Sequence, residues 1–253
     1  MNLSVFGLIP EASEGQNGYL TDTCTSTMDI AWSLFGQGLF SDYTFVLAKN
    51  QTRGRGQFGR EWVSDSGNLF ATIRIPDSAR VLDNLLPMAM ALCVVMALET
   101  LTIPAQIKWP NDIMTGYSKV GGILIEKKGP VVMAGIGLNI GSAPESSPGE
   151  KFFQIKAGCL KESGVNLNPC QVWTQILEQI RCRLPGMVAA PSTVAENVQR
   201  RLALGGETVV LEDAGAFSGP ARILGIDPQG SLIIETIKGI KTINRGRIYP
   251  RIE

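Results

Sequence analysis

The chain contains no histidine. That excludes imidazole-based triads, histidine-ligated metal centres and the one side chain that ordinarily titrates near neutrality. No Lys or Arg occurs before Lys49, although Glu11, Glu14, Asp22, Asp29 and Asp42 all do. A module that grips nucleic acid needs cations for the phosphates, so the sequence predicts no DNA-reading head and no DNA partner. The opening MNLSVFGLIPEASEG lacks the basic n-region of a signal peptide, and its apolar run is broken by Pro10. No uninterrupted apolar run reaches bilayer-spanning length; the longest candidate, residues 85–98, falls short. Cys24, Cys93, Cys159, Cys170 and Cys182 are odd in number and never in CxxC spacing, which argues against disulfide staples and zinc ribbons. Together these absences predict a cytoplasmic protein with no membrane partner. Its chemistry must come from lysine, arginine, carboxylates, amides, backbone donors and a bound cation.

What is present is concentrated. Formal net charge is zero, but Lys49–Trp62 (KNQTRGRGQFGREW) sets four cations, Lys49, Arg53, Arg55 and Arg60, against the single carboxylate of Glu61. Gly54, Gly56 and Gly59 allow close backbone approach to a ligand, and arginine forks suit carboxylate or phosphate oxygens. A solvated surface loop has the same composition, so the rest of the chain must decide. Fixing glycine-rich residues costs about 1–2 kcal/mol each. With Phe58 as its main apolar anchor, this loop is expected to be mobile until a ligand orders it.

After a loop-like start, the hydroxyl cluster Thr23–Asp29 precedes an apolar segment, which is an N-cap signal. Strands are expected over residues 43–49, 68–75 and 106–109, and a largely buried helix over 82–101. Residues 119–126 and 131–140 have the spacing of a hairpin, and helices are expected over 170–184 and 193–204. From Glu207 the pattern changes to four short strands separated by turn residues, the texture of a small barrel.

Three further stretches carry chemistry. In Lys108-Trp-Pro-Asn-Asp112 a lysine leaves a strand beside an amide and a carboxylate expected in a turn; the group suits phosphate oxygens and a divalent cation, or is a plain Pro-Asn-Asp turn. Lys119 opens an apolar strand just before Gly121 and Gly122. Gly135-Ile-Gly-Leu-Asn139 carries an amide that either is satisfied by backbone or contacts a ligand.

Taken in order, Ser26-Thr27, Gly54-Arg55-Gly56, KWPND, KVGGILIE and GIGLN resemble the catalytic part of biotin protein ligases, in the form without an N-terminal DNA-binding domain. The resemblance runs from about Ser26 to Asn139. It implies an α+β fold: a mixed sheet with helices over residues 1–204, then an SH3-like β-barrel over 205–253. It implies that biotin and ATP, with Mg²⁺, yield biotinyl-5′-AMP, and that biotin then passes to a lysine of the biotin carboxyl carrier domain of a biotin-dependent carboxylase. On this resemblance Ser26, Thr27, Met28, Gln51, Gly54, Arg55, Gly56, Gln57, Lys119, Gly121 and Gly122 would hold biotin. Arg53, Arg60, Trp62, Asn111 and Asn139 would hold ATP or the adenylate. Arg55, Lys108 and Lys119 would be catalytic, and Asp112 would bind magnesium. Two positions depart from the commoner pattern. Gln57 stands where many members have a second arginine, and Met28 where many have asparagine. A lipoate or octanoate ligase, or a biotin- or adenylate-holding module without transfer, is the competing reading. Exposed sheet edges near the hairpin leave room for a homodimer.

Overall fold

A computed structural model describes residues 9–13, 16–144, 155–213 and 216–250. Its strands are β1 (Ile9–Ser13), β2 (Gln16–Cys24), β3 (Phe45–Gln51), β4 (Leu69–Ile75), β5 (Gln106–Lys108), β6 (Asp112–Thr115), β7 (Ser118–Lys128), β8 (Val131–Leu138), β9 (Thr208–Asp213), β10 (Ala216–Ile226), β11 (Leu232–Thr236), β12 (Gly239–Ile243) and β13 (Arg247–Pro250). Its helices are α1 (Thr27–Gly36), α2 (Leu86–Thr100), α3 (Pro169–Ala189) and α4 (Ser192–Gln199).

The first eight strands form a mixed sheet in the order β1-β2-β3-β4-β8-β7-β6-β5. Only β2 and β3 pair in parallel, because α1 carries the chain between them. Strand alternation splits the core between the two faces. Phe45 and Leu47 of β3 join the apolar cluster of α2 and α3, whereas Val46 joins Met28, Ile30, Ala31 and Leu34 of α1. Helix α2 (LPMAMALCVVMALET) is apolar on every side until Glu99 and is correspondingly buried nearly throughout.

Several expectations shift. The start, expected as loop, pairs as the β1–β2 hairpin; its Gly, Asn, Asp and Thr content hides the strand pattern. The helix expected from residue 82 begins at Leu86, with Pro87 in its first turn, after 3₁₀ turns over Asp77–Leu85. The helical stretch Asp77–Thr100, kinked at Asp83, is long and apolar enough to cross a membrane by composition, longer than the apolar run suggests, but most of it is buried inside the fold. Helix α4 stops at Gln199, since Leu202 instead bridges to Ile107 of β5. Asp112 opens β6 rather than sitting in the turn.

The C-terminal strands form a five-stranded antiparallel sheet, β12-β11-β10-β9-β13. The single strand expected over residues 241–249 is two, broken at Gly246, whose φ of +124° turns the chain into β13. This sheet shares the main core: Val209, Ile223, Leu232 and Ile248 belong to the same cluster as α2. The Trp109 indole N–H donates to the Gly230 carbonyl at 2.9 Å, tying the two sheets together. Trp109→Phe strands that buried acceptor and should lower the unfolding free energy by about 1–3 kcal/mol, read from the midpoint of urea denaturation.

Candidate active site

The floor of the site is made of absent side chains. Gly122 of β7 lies opposite Gly137 of β8, and the Trp62 indole lies over the pair. A Cβ at Gly137 would come within 2.7 Å of that ring, so the glycine is required for the approach. Around this floor is a cavity of about 490 Å³, within the range of small-molecule sites.

One wall is the start of α1. The Ser26 side chain caps the helix by accepting from Met28 N at 3.3 Å. Thr27 donates its backbone N–H to Gln51 Oε1 at 2.8 Å, and its hydroxyl lies 2.9 Å from that of Thr72. Gln51 also donates to Ser64 at 3.1 Å, so its amide is fixed between helix and loop. The result is a nest of oriented hydroxyl and amide groups at a helix N-terminus.

The opposite wall is a charge row. Lys108 and Asp112 face each other across the β5–β6 hairpin, and β7 brings in Lys119. Asp112 accepts from Lys108 Nζ at 2.7 Å through one oxygen and from Lys119 Nζ at 2.6 Å through the other. Burial alone would raise the Asp112 pKa, but the two ammonium groups outweigh it and hold the carboxyl at about 2. Lys108 is nearly enclosed, at 8% side-chain exposure, whereas Lys119 at 31% is open to the cavity. Both Asp112 oxygens thus have an ammonium partner. Among the described residues no three metal-binding side chains converge.

The glycine-arginine loop is anchored more firmly than its composition suggests. Gly56 N bonds Arg60 O at 2.8 Å, and Trp62 N bonds Gly54 O at 2.9 Å. Arg55 is latched at both ends, donating from Nη1 to Asp29 at 2.7 Å and from Nε to Glu126 at 3.0 Å. Glu126 also accepts from the Trp32 indole at 2.8 Å. The Arg55 guanidinium thus lies at the cavity wall while paired with two carboxylates. Phe58 anchors nothing in the core: it sits at the loop tip, 80% exposed, with φ +60°.

Ser26, Thr27, Met28, Gln51, Arg55, Gly56, Gln57, Arg60, Trp62, Lys108, Asn111, Asp112, Lys119, Gly122 and Asn139 all line the cavity. Arg53, Gly54 and Gly121 do not. Arg53 is exposed on the outside of the loop, its backbone N–H bonded to Thr25 O. Gly54 is buried where a Cβ would meet Trp62 O and Ser64 Oγ at 2.6 Å, and Gly121 packs beneath Leu138. Asn111 and Asn139 reach the wall, yet their amides donate to Ile123 O at 2.7 Å and Gly158 O at 3.1 Å, which are structural duties. Trp62 Nε1 is buried without a partner. Sequence reasoning missed Thr72, Gly246, Arg247 and Tyr249 as lining residues. Thr72 is a hydroxyl inside an apolar strand, a readable signal; the other three lie far away in sequence and left none.

The chain is similar in sequence and fold to known proteins. Residues 20–141 match the model of the biotin/lipoate A/B protein ligase family. The bifunctional ligase/repressor BirA of Bacillus subtilis is 32% identical over 248 residues, covering 94% of this chain and 75% of that protein. A biotin–[acetyl-CoA-carboxylase] ligase of Paracoccus denitrificans is 29% identical over 221 residues, 83% of this chain and 91% of its own. The structure of the Aquifex aeolicus biotin protein ligase in complex with biotin and ATP superposes with a TM-score of 0.79 at 27% identity, covering 91% of this chain and 97% of that one.

Two consequences of the charge network are measurable. Because the folded pKa of Asp112 lies below its ordinary 3.8, its stabilisation is complete above about pH 4 and is lost as pH falls toward 2. Urea midpoints of the wild type should drop across that window by the equivalent of about 2 kcal/mol, and those of Asp112→Asn should lack this component. Glu126→Gln should loosen the Arg55 latch, so amide exchange at residues 54–58 should be faster than in the wild type.

Proposed function

The chain belongs to the biotin/lipoate A/B protein ligase family, and on that premise we propose that it is a biotin protein ligase. It activates biotin with ATP to biotinyl-5′-AMP and passes the biotinyl group to a lysine of a carrier domain. In the first step the biotin carboxylate attacks the α-phosphorus; a P–O bond forms and the bond to pyrophosphate breaks. In the second step a lysine amine attacks the acyl carbon, the C–O bond to AMP breaks, and the amine loses a proton.

The observation that carries this reading is the Lys108–Asp112–Lys119 row beside a glycine floor and a nest of polar groups. In-line displacement at phosphorus needs positioning and charge neutralisation more than a protein acid or base, which suits a chain without histidine. Lys119, the more open of the two lysines, can leave Asp112 for the acyl carboxylate while Lys108 keeps Asp112 ionised. Ser26, Thr27 and Gln51 offer the donors and acceptors that a bicyclic ureido ring requires. A resident magnesium cage does not fit these side chains, so magnesium is treated as part of the substrate MgATP. We read residues 1–204 as the catalytic domain and 205–253 as an SH3-like unit. The acceptor is a biotin carboxyl carrier domain, as the relative named biotin–[acetyl-CoA-carboxylase] ligase suggests.

Mass spectrometry of an apo carrier domain incubated with this protein and MgATP should show one biotinyl group added with biotin and none with lipoate. Pyrophosphate release without a mass gain would leave an adenylate-holding module instead.

A further inference from the structure

Gln51 ends β3 at the cavity wall, and the direction of each hydrogen bond its amide makes follows from its neighbours. The Thr27 backbone N–H can only donate, so the atom 2.8 Å from it is the Gln51 oxygen, Oε1. The same oxygen accepts from the Thr27 hydroxyl at 3.2 Å. With its own proton used, the Thr27 hydroxyl accepts from that of Thr72, 2.9 Å away. Gln51 Nε2 then faces Ser64, donating to its Oγ at 3.1 Å, and Ser64 Oγ donates in turn to the Trp62 carbonyl at 3.0 Å. One directed chain of hydrogen bonds thus runs from β4 through α1 and β3 into the end of the glycine-arginine loop.

Ser64 is not part of the cavity wall. It is the link between the Gln51 amide and the Trp62 backbone. Trp62 carries the indole that lies over Gly122 and Gly137, 5.5 Å from Lys119 Nζ, and its N–H closes the loop onto Gly54 O at 2.9 Å. The junction is tight. A Cβ at Gly54 would lie 2.6 Å from both Ser64 Oγ and Trp62 O, and 3.0 Å from Gln51 Nε2. Gly54 therefore owes its missing side chain to this junction, not to the cavity. A primary amide nitrogen carries two N–H groups. Ser64 takes one, and the other is left for a ligand in the cavity that Gln51 lines. An acceptor bound there fixes Gln51, Gln51 fixes Ser64, and Ser64 fixes Trp62.

We propose that Ser64 is a positioning residue whose hydroxyl couples the seating of biotin against Gln51 to the closure of the loop at Trp62. The inference rests on the ligase reading above and adds to it a residue from behind the cavity wall.

The test is calorimetric titration with biotin alone, paired with amide exchange in the loop, so that neither readout needs turnover. Ser64→Ala should raise the Kd for biotin about 5–20-fold, the loss of one partly buried hydrogen bond whose partner is left unmatched. Ser64→Thr keeps the hydroxyl and should stay within about threefold of wild type, whereas Ser64→Cys, with its weak donor, should resemble Ser64→Ala. Biotin should slow amide exchange at Gly54 and Trp62 in the wild type, and less so in Ser64→Ala. The deciding comparison is a double-mutant cycle. In a Gln51→Ala background, Ser64→Ala should cost less than about twofold in biotin affinity, because its effect passes through Gln51. A biotin Kd unchanged in both Ser64→Ala and Ser64→Cys would overturn the coupling. An equal loss with and without Gln51 would also overturn it, since that marks a merely structural role. A wild type that does not bind biotin would instead sink the ligase reading, and this inference with it.

Discussion

A buried carboxylate held between two ammonium groups is the constraint on which the site depends. Asp112 alone would be costly to bury ionised, and Lys108, nearly enclosed, would be costly to bury charged. Each makes the other tolerable, and Lys119 completes the second oxygen. Strand register enforces the geometry. Lys108 pairs with Asp112 across β5 and β6, while Asp112 pairs with Gly122 across β6 and β7. A slip of one residue on any of these strands would turn a member of the row to the other face. The sheet thus holds a charge row ready for an anionic ligand, with little reorganisation left for the moment of reaction.

The glycines work from the opposite direction. Where Gly122 and Gly137 face each other, the sheet gives up side chains, and Trp62 lies in the space. The same indole has Lys119 Nζ at 5.5 Å from its ring centre, so the loop end touches the charge row directly. At the other end of the loop, Arg55 is fixed to α1 through Asp29 and to β7 through Glu126. A loop that composition marks as slack is thus pinned at both ends, leaving the tip around Gln57 and Phe58 as its least anchored part.

The C-terminal sheet is not an appendage. Its core residues merge with those around α2, and Gly230 packs so closely on Met88 that a Cβ there would lie 2.8 Å from it. This packing, with the Trp109–Gly230 hydrogen bond, brings β13 to the mouth of the cavity.

Much of this was written locally in the chain. The absence of histidine removed whole classes of chemistry, and KWPND, KVGG and GIGLN lay on or beside the strand ends that line the cavity. Such motifs are readable because a turn, a strand end and the residues between them are neighbours in sequence. Alternation and apolar runs likewise placed β4, β7, β8, α2 and α3, though not the polar β1–β2 hairpin. Tertiary structure alone decided what each charged group faces. Nothing in the sequence says that Arg55 pairs with Asp29 and Glu126, or that Asp112 lies between two lysines. Arg247 acquired a place in the site only through the docking of one sheet on another. Residue types limit what chemistry is possible; partners separated by many tens of residues decide which charges remain to perform it.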